Sequence, residues 1–136
     1  MLWNIALAKR LFGKATTNIS FKSNNINNIY PQTPPSNEGS VYGGTKSLDN
    51  QTYYECMLDS EVSLHGEAYF YRAKLVYGKD ETEIVPRGIR LQAIQVIKSD
   101  ESLVLSENTL FNVFVPNITK FSLIDYKNAN KLTVCE

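Results

Sequence analysis

The sequence predicts an all-β domain, a small antiparallel sandwich or barrel, preceded by a short N-terminal helix and a long extended arm. Three observations carry that expectation. From Asp49 onward Tyr, Phe, Val, Ile and Thr are frequent, and turn residues recur at short intervals. Between Lys14 and Leu48 the chain becomes polar and rich in Pro and Gly. Ahead of that stretch, Leu2 to Phe12 has helical spacing. The expected units are therefore a helical anchor at 1–13, an extended polar arm or linker at 14–48 and a β domain at 49–136.

Gly13 supplies a stop for the first segment, LWNIALAKRLF. Trp3, Leu7 and Leu11 form one stripe, Ile5, Ala8 and Phe12 a second, and Lys9 and Arg10 fill most of the remaining arc. That apolar surface is wider than a core-facing stripe needs. A helix of this length is marginal alone in water, so it must dock to persist. The single tryptophan, Trp3, suits an interface anchor. Leu2, Trp3, Ile5, Leu7, Lys9, Arg10, Leu11 and Phe12 are accordingly the candidate partner-binding residues.

Pro31, Pro34 and Pro35, with Gly39, Gly43 and Gly44, argue against a helix or a central strand in the arm. Its apolar residues are isolated ones, such as Ile19, Ile26, Ile29 and Tyr30. Such spacing suits an extended segment laid along a neighbour, and a flexible linker is the competing reading.

In the body, strands are expected near Gln51–Leu58, Glu61–Leu64, Glu67–Tyr77, Thr82–Val85, Ile89–Lys98, Ser102–Leu105, Thr109–Val115, Thr119–Tyr126 and Lys131–Cys135. Within Glu67–Tyr77, Tyr69, Tyr71, Ala73, Leu75 and Tyr77 take one face and Ala68, Phe70, Arg72, Lys74 and Val76 the other. Phe111, Val113 and Val115 likewise oppose Leu110, Asn112 and Phe114. The Ile89–Lys98 run changes phase between Leu91 and Ile94, which implies a bulge near Ala93 or a strand covered on both sides.

Charge is balanced overall but unevenly placed. Five basic residues stand against Glu38 up to Leu48, whereas the body carries thirteen acidic and nine basic residues. A net-acidic body suits nucleic acid poorly. Tyr69, Tyr71 and Tyr77 interleave with Arg72, Lys74 and Lys79 as on base-stacking sheets, but tyrosines in a β core explain the same letters. No signal peptide and no membrane span is apparent. The N-x-[ST] sequons at Asn18, Asn50 and Asn117 match chance for so much Asn, Ser and Thr. Cys56 and Cys135 allow one bridge or two free thiols.

Catalytic signals are weak throughout. Gly39 to Ser47 misses the P-loop pattern by one inserted Thr. The only histidine, His65, precedes Gly66 where a hairpin turn is expected, and Asp80, Glu81 and Glu83 read as a solvated turn. No catalytic, metal-binding or cofactor-binding residue is assigned, and no enzyme is expected.

Asn4 to Gly13, NIALAKRLFG, resembles the short N-terminal peptides of the type N-[IL]-A-L-A-K that open minor head-fibre and head-decoration virion proteins of tailed bacteriophages. The resemblance implies a structural virion subunit, assembled in the host cytoplasm, whose arm attaches to a capsid or neck protein. Its β domain would self-assemble or decorate. The implied partners are other virion proteins and further copies of the chain, with no small-molecule substrate, no membrane, and nucleic acid disfavoured. A carbohydrate- or surface-binding β-sandwich with a flexible leader is the alternative.

Overall fold

The computed structural model describes residues 2–5, 29–39, 50–79, 82–119 and 122–133. Among these residues, seven strands and two helices follow in the order β1 (Leu2–Ile5), β2 (Ile29–Gln32), α1 (Pro34–Glu38), α2 (Gln51–His65), β3 (Ala68–Val76), β4 (Gly88–Ser99), β5 (Ser102–Pro116), β6 (Ser122–Asp125) and β7 (Asn130–Thr133). The strands form an antiparallel three-stranded meander β3-β4-β5 and two antiparallel pairs, β1-β2 and β6-β7. The chain is β-rich, as its composition implies.

The meander is not half of a sandwich, because helix α2 covers its inner face. Ile89, Leu91, Ala93, Phe111 and Val115 from β4 and β5 are buried with Leu58 of α2 and Tyr30 of β2. Tyr54 and Tyr71 meet Phe111 with ring centroids 5.3 and 6.3 Å apart. The period-two reading of β3 and β5 holds in the middles of the two expected runs, with Tyr69, Tyr71, Ala73 and Leu75 inward, and Phe70, Arg72, Lys74, Asn112 and Phe114 exposed, but fails at the ends of those runs, where Tyr77 is exposed and Val76 and Leu110 are half-buried. Register breaks at Ala93/Ile94 and Ile94/Val96 supply the irregularity that the phase change requires.

Helix α2 replaces the two strands expected at Gln51–Leu58 and Glu61–Leu64. Its buried stripe is Gln51, Glu55 and Leu58, so the helical period is carried partly by polar residues and is invisible as hydrophobicity. Adjacent Tyr53 and Tyr54 then read as strand. Asn50 starts the helix, its side chain accepting from Tyr53 N–H at 2.9 Å, and Gly66 ends it at φ 65°. His65 is thus the last helical residue, with Nδ1 2.9 Å from Glu61 Oε2. No strand forms at Thr82–Val85, and Ser102–Leu105 joins Thr109–Val115 in one long β5.

Residues 29–39 are a strand, a cap and a helical turn instead of an extended arm. Pro34 and Pro35 occupy the first helical positions, where the missing N–H has no intrahelical partner to lose. Thr33 caps them and Gly39, at φ 71°, closes the turn by donating to Pro35 O at 3.1 Å. Leu2, Trp3, Asn4 and Ile5 pair with Gln32, Pro31, Tyr30 and Ile29 as a strand, so the N-terminal helix is corrected over those residues. A β pairing partner distant in sequence overrides their helical spacing.

Asn117 gathers the connections. Fully buried, it accepts from Thr33 N–H at 2.8 Å through Oδ1 and donates through Nδ2 to Pro31 O and Pro86 O, both at 3.0 Å. Its own N–H donates to Arg87 O at 2.8 Å and its carbonyl accepts from Tyr126 Oη at 2.9 Å. Beside it, Arg87 pairs with Glu83 and lies 3.9 Å from the Tyr126 ring centroid. Asn50 and Asn117, two of the three sequon asparagines, are both buried.

Two substitutions probe this framework in denaturant unfolding. Asn117→Ala strands three buried backbone groups and is expected to cost about 3 kcal/mol or more. In the β4-β5 turn, where Asp100 and Glu101 have φ 47° and 68°, Glu101→Gly removes left-handed strain and should add about 0.5–1 kcal/mol.

Candidate functional site

Where β2, α1 and the first turns of α2 meet, the interior is polar. Tyr30, Gln32, Thr33, Ser36, Asn50, Gln51 and Glu55 are all buried. A chain of hydrogen bonds explains how they can be. Gln32 Nε2 donates to Ser36 Oγ at 3.0 Å and to Gln51 Oε1 at 3.2 Å. Tyr30 Oη donates to the same Gln51 oxygen at 2.6 Å. Gln51 Nε2 then donates to Glu55 Oε1 at 2.9 Å, and Tyr71 Oη reaches that oxygen at 3.3 Å from the sheet.

The helix sets this spacing, because Gln51 and Glu55 lie four residues apart on one face. Strand β3 alternation turns Tyr71 inward opposite them. Glu55 is 3% exposed and accepts from Gln51 Nε2 and Tyr71 Oη. A buried carboxylate held this way is an oxygen-rich, negatively charged centre. Burial, then the charge of Glu55, raises the Tyr30 hydroxyl far above its usual range. The Tyr71 hydroxyl is likewise raised well above it, first by burial and then by Glu55's charge and hydrogen bond.

Asn37 follows Ser36 on α1 and is half-buried, and no partner for its side-chain amide is found among the described residues. Among the described residues, no group of three His, Cys, Asp or Glu side chains comes together. Hard oxygen atoms from one carboxylate and several amides and hydroxyls are what the cluster offers, a set suited to magnesium or calcium more than to zinc.

The residues singled out from the sequence lie elsewhere. Leu2, Trp3 and Ile5 are on strand β1. Leu7, Lys9, Arg10, Leu11 and Phe12 fall outside the described residues, as do Gly43 to Ser47, Asp80, Glu81 and Cys135. Cys56 is an exposed free thiol. Glu83, read as part of a solvated turn, instead receives Gly78 N–H at 2.7 Å and pairs with Arg87. The polar cluster was missed because its members are spread over three segments and carry no motif. Thr33 before Pro34-Pro35, and Asn50 before the Gln51–Leu58 run, are the local helix-start signals that could have exposed it.

No family model and no curated protein matches the chain. Solved structures do. An extracellular endonuclease chain superposes with a TM-score of 0.73 at 24% identity, over 96% of this chain and 67% of its own. NucA from Streptococcus agalactiae with magnesium ion bound gives a TM-score of 0.59 at 26% identity, over 82% of this chain and 44% of its own. An extracellular nuclease chain gives 0.63 at 20% identity, over 84% and 69%. The chain thus spans less than half the length of the NucA chain it matches.

This likeness corrects the functional expectations. The fold is one shared with nuclease chains, which overturns the structural virion subunit, its bacteriophage capsid or neck location and the carbohydrate-binding alternative. The expectations of no enzyme, of virion and self partners only, and of nucleic acid being disfavoured fall with them. The ten-residue N-terminal resemblance misled because a short peptide carries little information about the sheet that follows. The net acidity of the body misled because a sum over eighty-eight residues does not report where on the surface its charges gather.

The tyrosines supply a pH test. Tyr30 and Tyr71 bind their protons more tightly in the folded chain than in the unfolded chain, where tyrosine titrates near 10. Their contribution is complete below about pH 10 and is lost as pH rises beyond it. Urea unfolding at pH 8 and pH 11 should show lower stability at the higher pH. Tyr30→Phe and Tyr71→Phe should each reduce that difference.

Proposed function

We propose that the chain belongs to a nuclease in which the β2-α1-α2 polar cluster serves hydrolysis of nucleic-acid phosphodiesters with a divalent cation. The observation that carries this reading is the buried carboxylate network of Glu55, placed within a fold shared with NucA with magnesium ion bound. Two extracellular nuclease chains with the same fold add to it.

Magnesium fits the cluster in kind. It takes oxygen ligands, and one or two carboxylates with waters and phosphate oxygens suffice for it. Glu55 would supply the anionic group, directly or through a water, and Asn37, on the neighbouring helix α1, would offer an amide oxygen. When bound, such an ion neutralises the phosphate and activates water or the leaving oxygen. In the reaction, water adds to phosphorus and one P–O ester bond breaks, the proton passing to the released oxygen.

The chain's own residues set up that chemistry. Gln51 and Tyr71 hold the Glu55 carboxylate in one orientation, and Gln32 and Tyr30 hold Gln51. Gln51 and Tyr71 are both neutral donors to that carboxylate.

Incubation of the purified protein with plasmid DNA and with RNA, in magnesium or in a chelator, tests the proposal. Magnesium-dependent cleavage is expected, with Glu55→Gln slowed by about 10–100-fold while keeping its circular dichroism spectrum. Absence of magnesium-dependent cleavage, or a folded Glu55→Gln as active as the parent, would overturn it.

A further inference from the structure

The outer face of the β3-β4-β5 meander is positively charged although the chain as a whole is neutral. Register places Lys74 opposite Arg90 and Arg90 opposite Phe114, with Arg72, Gln92 and Asn112 forming the next row. Directly paired residues share a face, so Arg72, Lys74, Arg90, Asn112 and Phe114 all project away from α2. All five are exposed, and neither Arg72, Lys74 nor Arg90 has an acidic partner among the described residues. Like charges on paired strands repel and are tolerated only at a cost, here without an acidic partner among the described residues.

Two details give this face a shape. Arg90 Nε donates to Asn112 Oδ1 at 3.1 Å, which orients the guanidinium across the strands. The Phe114 ring lies over Gly88, where any Cβ would collide with the ring and with Val115 O. A flat ring is thereby seated against bare backbone, still 47% exposed, next to Arg90 and Lys74. Exposed aromatic rings flanked by cations are what single-stranded nucleic acid uses, bases stacking on the ring and phosphates meeting the charges.

We infer that this outer sheet face is a second nucleic-acid contact surface, binding single-stranded DNA or RNA through Arg72, Lys74 and Arg90 at the phosphates and Phe114 under a base. The inference rests on the nuclease reading and deepens it, because the surface lies on the opposite side of the sheet from the Glu55 cluster. A strand held there is held away from the carboxylate, so its role is retention of polymeric substrate. Charge complementarity selects a polyanion over a second copy of this net-neutral chain.

The test is fluorescence anisotropy with a labelled oligothymidylate of about 20 nucleotides, in chelator so that nothing is cleaved. The full chain is titrated across a salt series. Replacing Arg72, Lys74 and Arg90 together by Gln should weaken binding and lower the slope of log affinity against log salt by about 2. Phe114→Ala should weaken binding about 5- to 100-fold while leaving the slope unchanged. Circular dichroism and sedimentation of each variant accompany the titrations.

Affinity and slope unchanged in folded variants would overturn the inference, as would absence of binding by the parent. A parent dimer dissolved by the Gln substitutions would also overturn it, by assigning the face to a second copy. The two proposals fail separately. Magnesium-dependent cleavage without dependence on this face leaves the nuclease reading standing, whereas face-dependent binding without cleavage removes the nuclease reading alone.

Discussion

The side chain of Asn117 is the constraint on which the other connections converge. One amide at the end of β5 satisfies the backbone of Thr33, Pro31 and Pro86, groups contributed by segments as much as 86 residues away. Two of these groups are proline carbonyls, beside residues that cannot donate to a ladder. No strand partner could serve them all at once. An asparagine can, because its two donors and its acceptor point in different directions from one short side chain. The core of aliphatic and aromatic residues keeps the helix on the sheet, but this amide decides where the β2-α1 turn sits against it.

That placement is what makes a buried carboxylate possible. Gln32 and Tyr30 reach Gln51 only if β2 lies against the start of α2, and Gln51 in turn orients Glu55. An ionised carboxylate away from water is costly unless donors surround it, and a partly satisfied network is worse than an apolar one. The sequence therefore commits several neutral polar residues to one acidic one. Such expenditure on polarity inside a small domain is expected at a working site more than in a structural core.

The sheet was largely legible from sequence and the site was not, for a physical reason. Strands β3 and β5 obey period two because one face is buried and the other wet, so Tyr71 and Phe111 could be oriented correctly, as could Arg72 and Phe114. The break near Ala93 also left its mark as a phase change. Helix α2 buries Gln51 and Glu55 where hydrophobicity would be expected, so the residues that form the site erased the signal of the element holding them. The prolines of α1 were read as breakers, although at the first helical positions they are formers. Long-range pairing of Leu2–Ile5 with β2 leaves no trace in a local window.

The register breaks in β4 divide the long hairpin into two mechanical parts. On the core side, Leu91, Ala93 and Phe111 lock the strands under α2. Beyond Ile94 the paired strands run on to the Asp100-Glu101 turn with Ile97, Leu103, Val104 and Leu105 exposed. Few buried contacts tie that outer portion down, the condition under which a segment can open locally while the rest of a domain stays folded. The exposed residues there, Ile97, Leu103, Val104 and Leu105, are β-branched and aliphatic. The same bulge that lets β4 change face thus sets where this protein first becomes prone to edge-to-edge association.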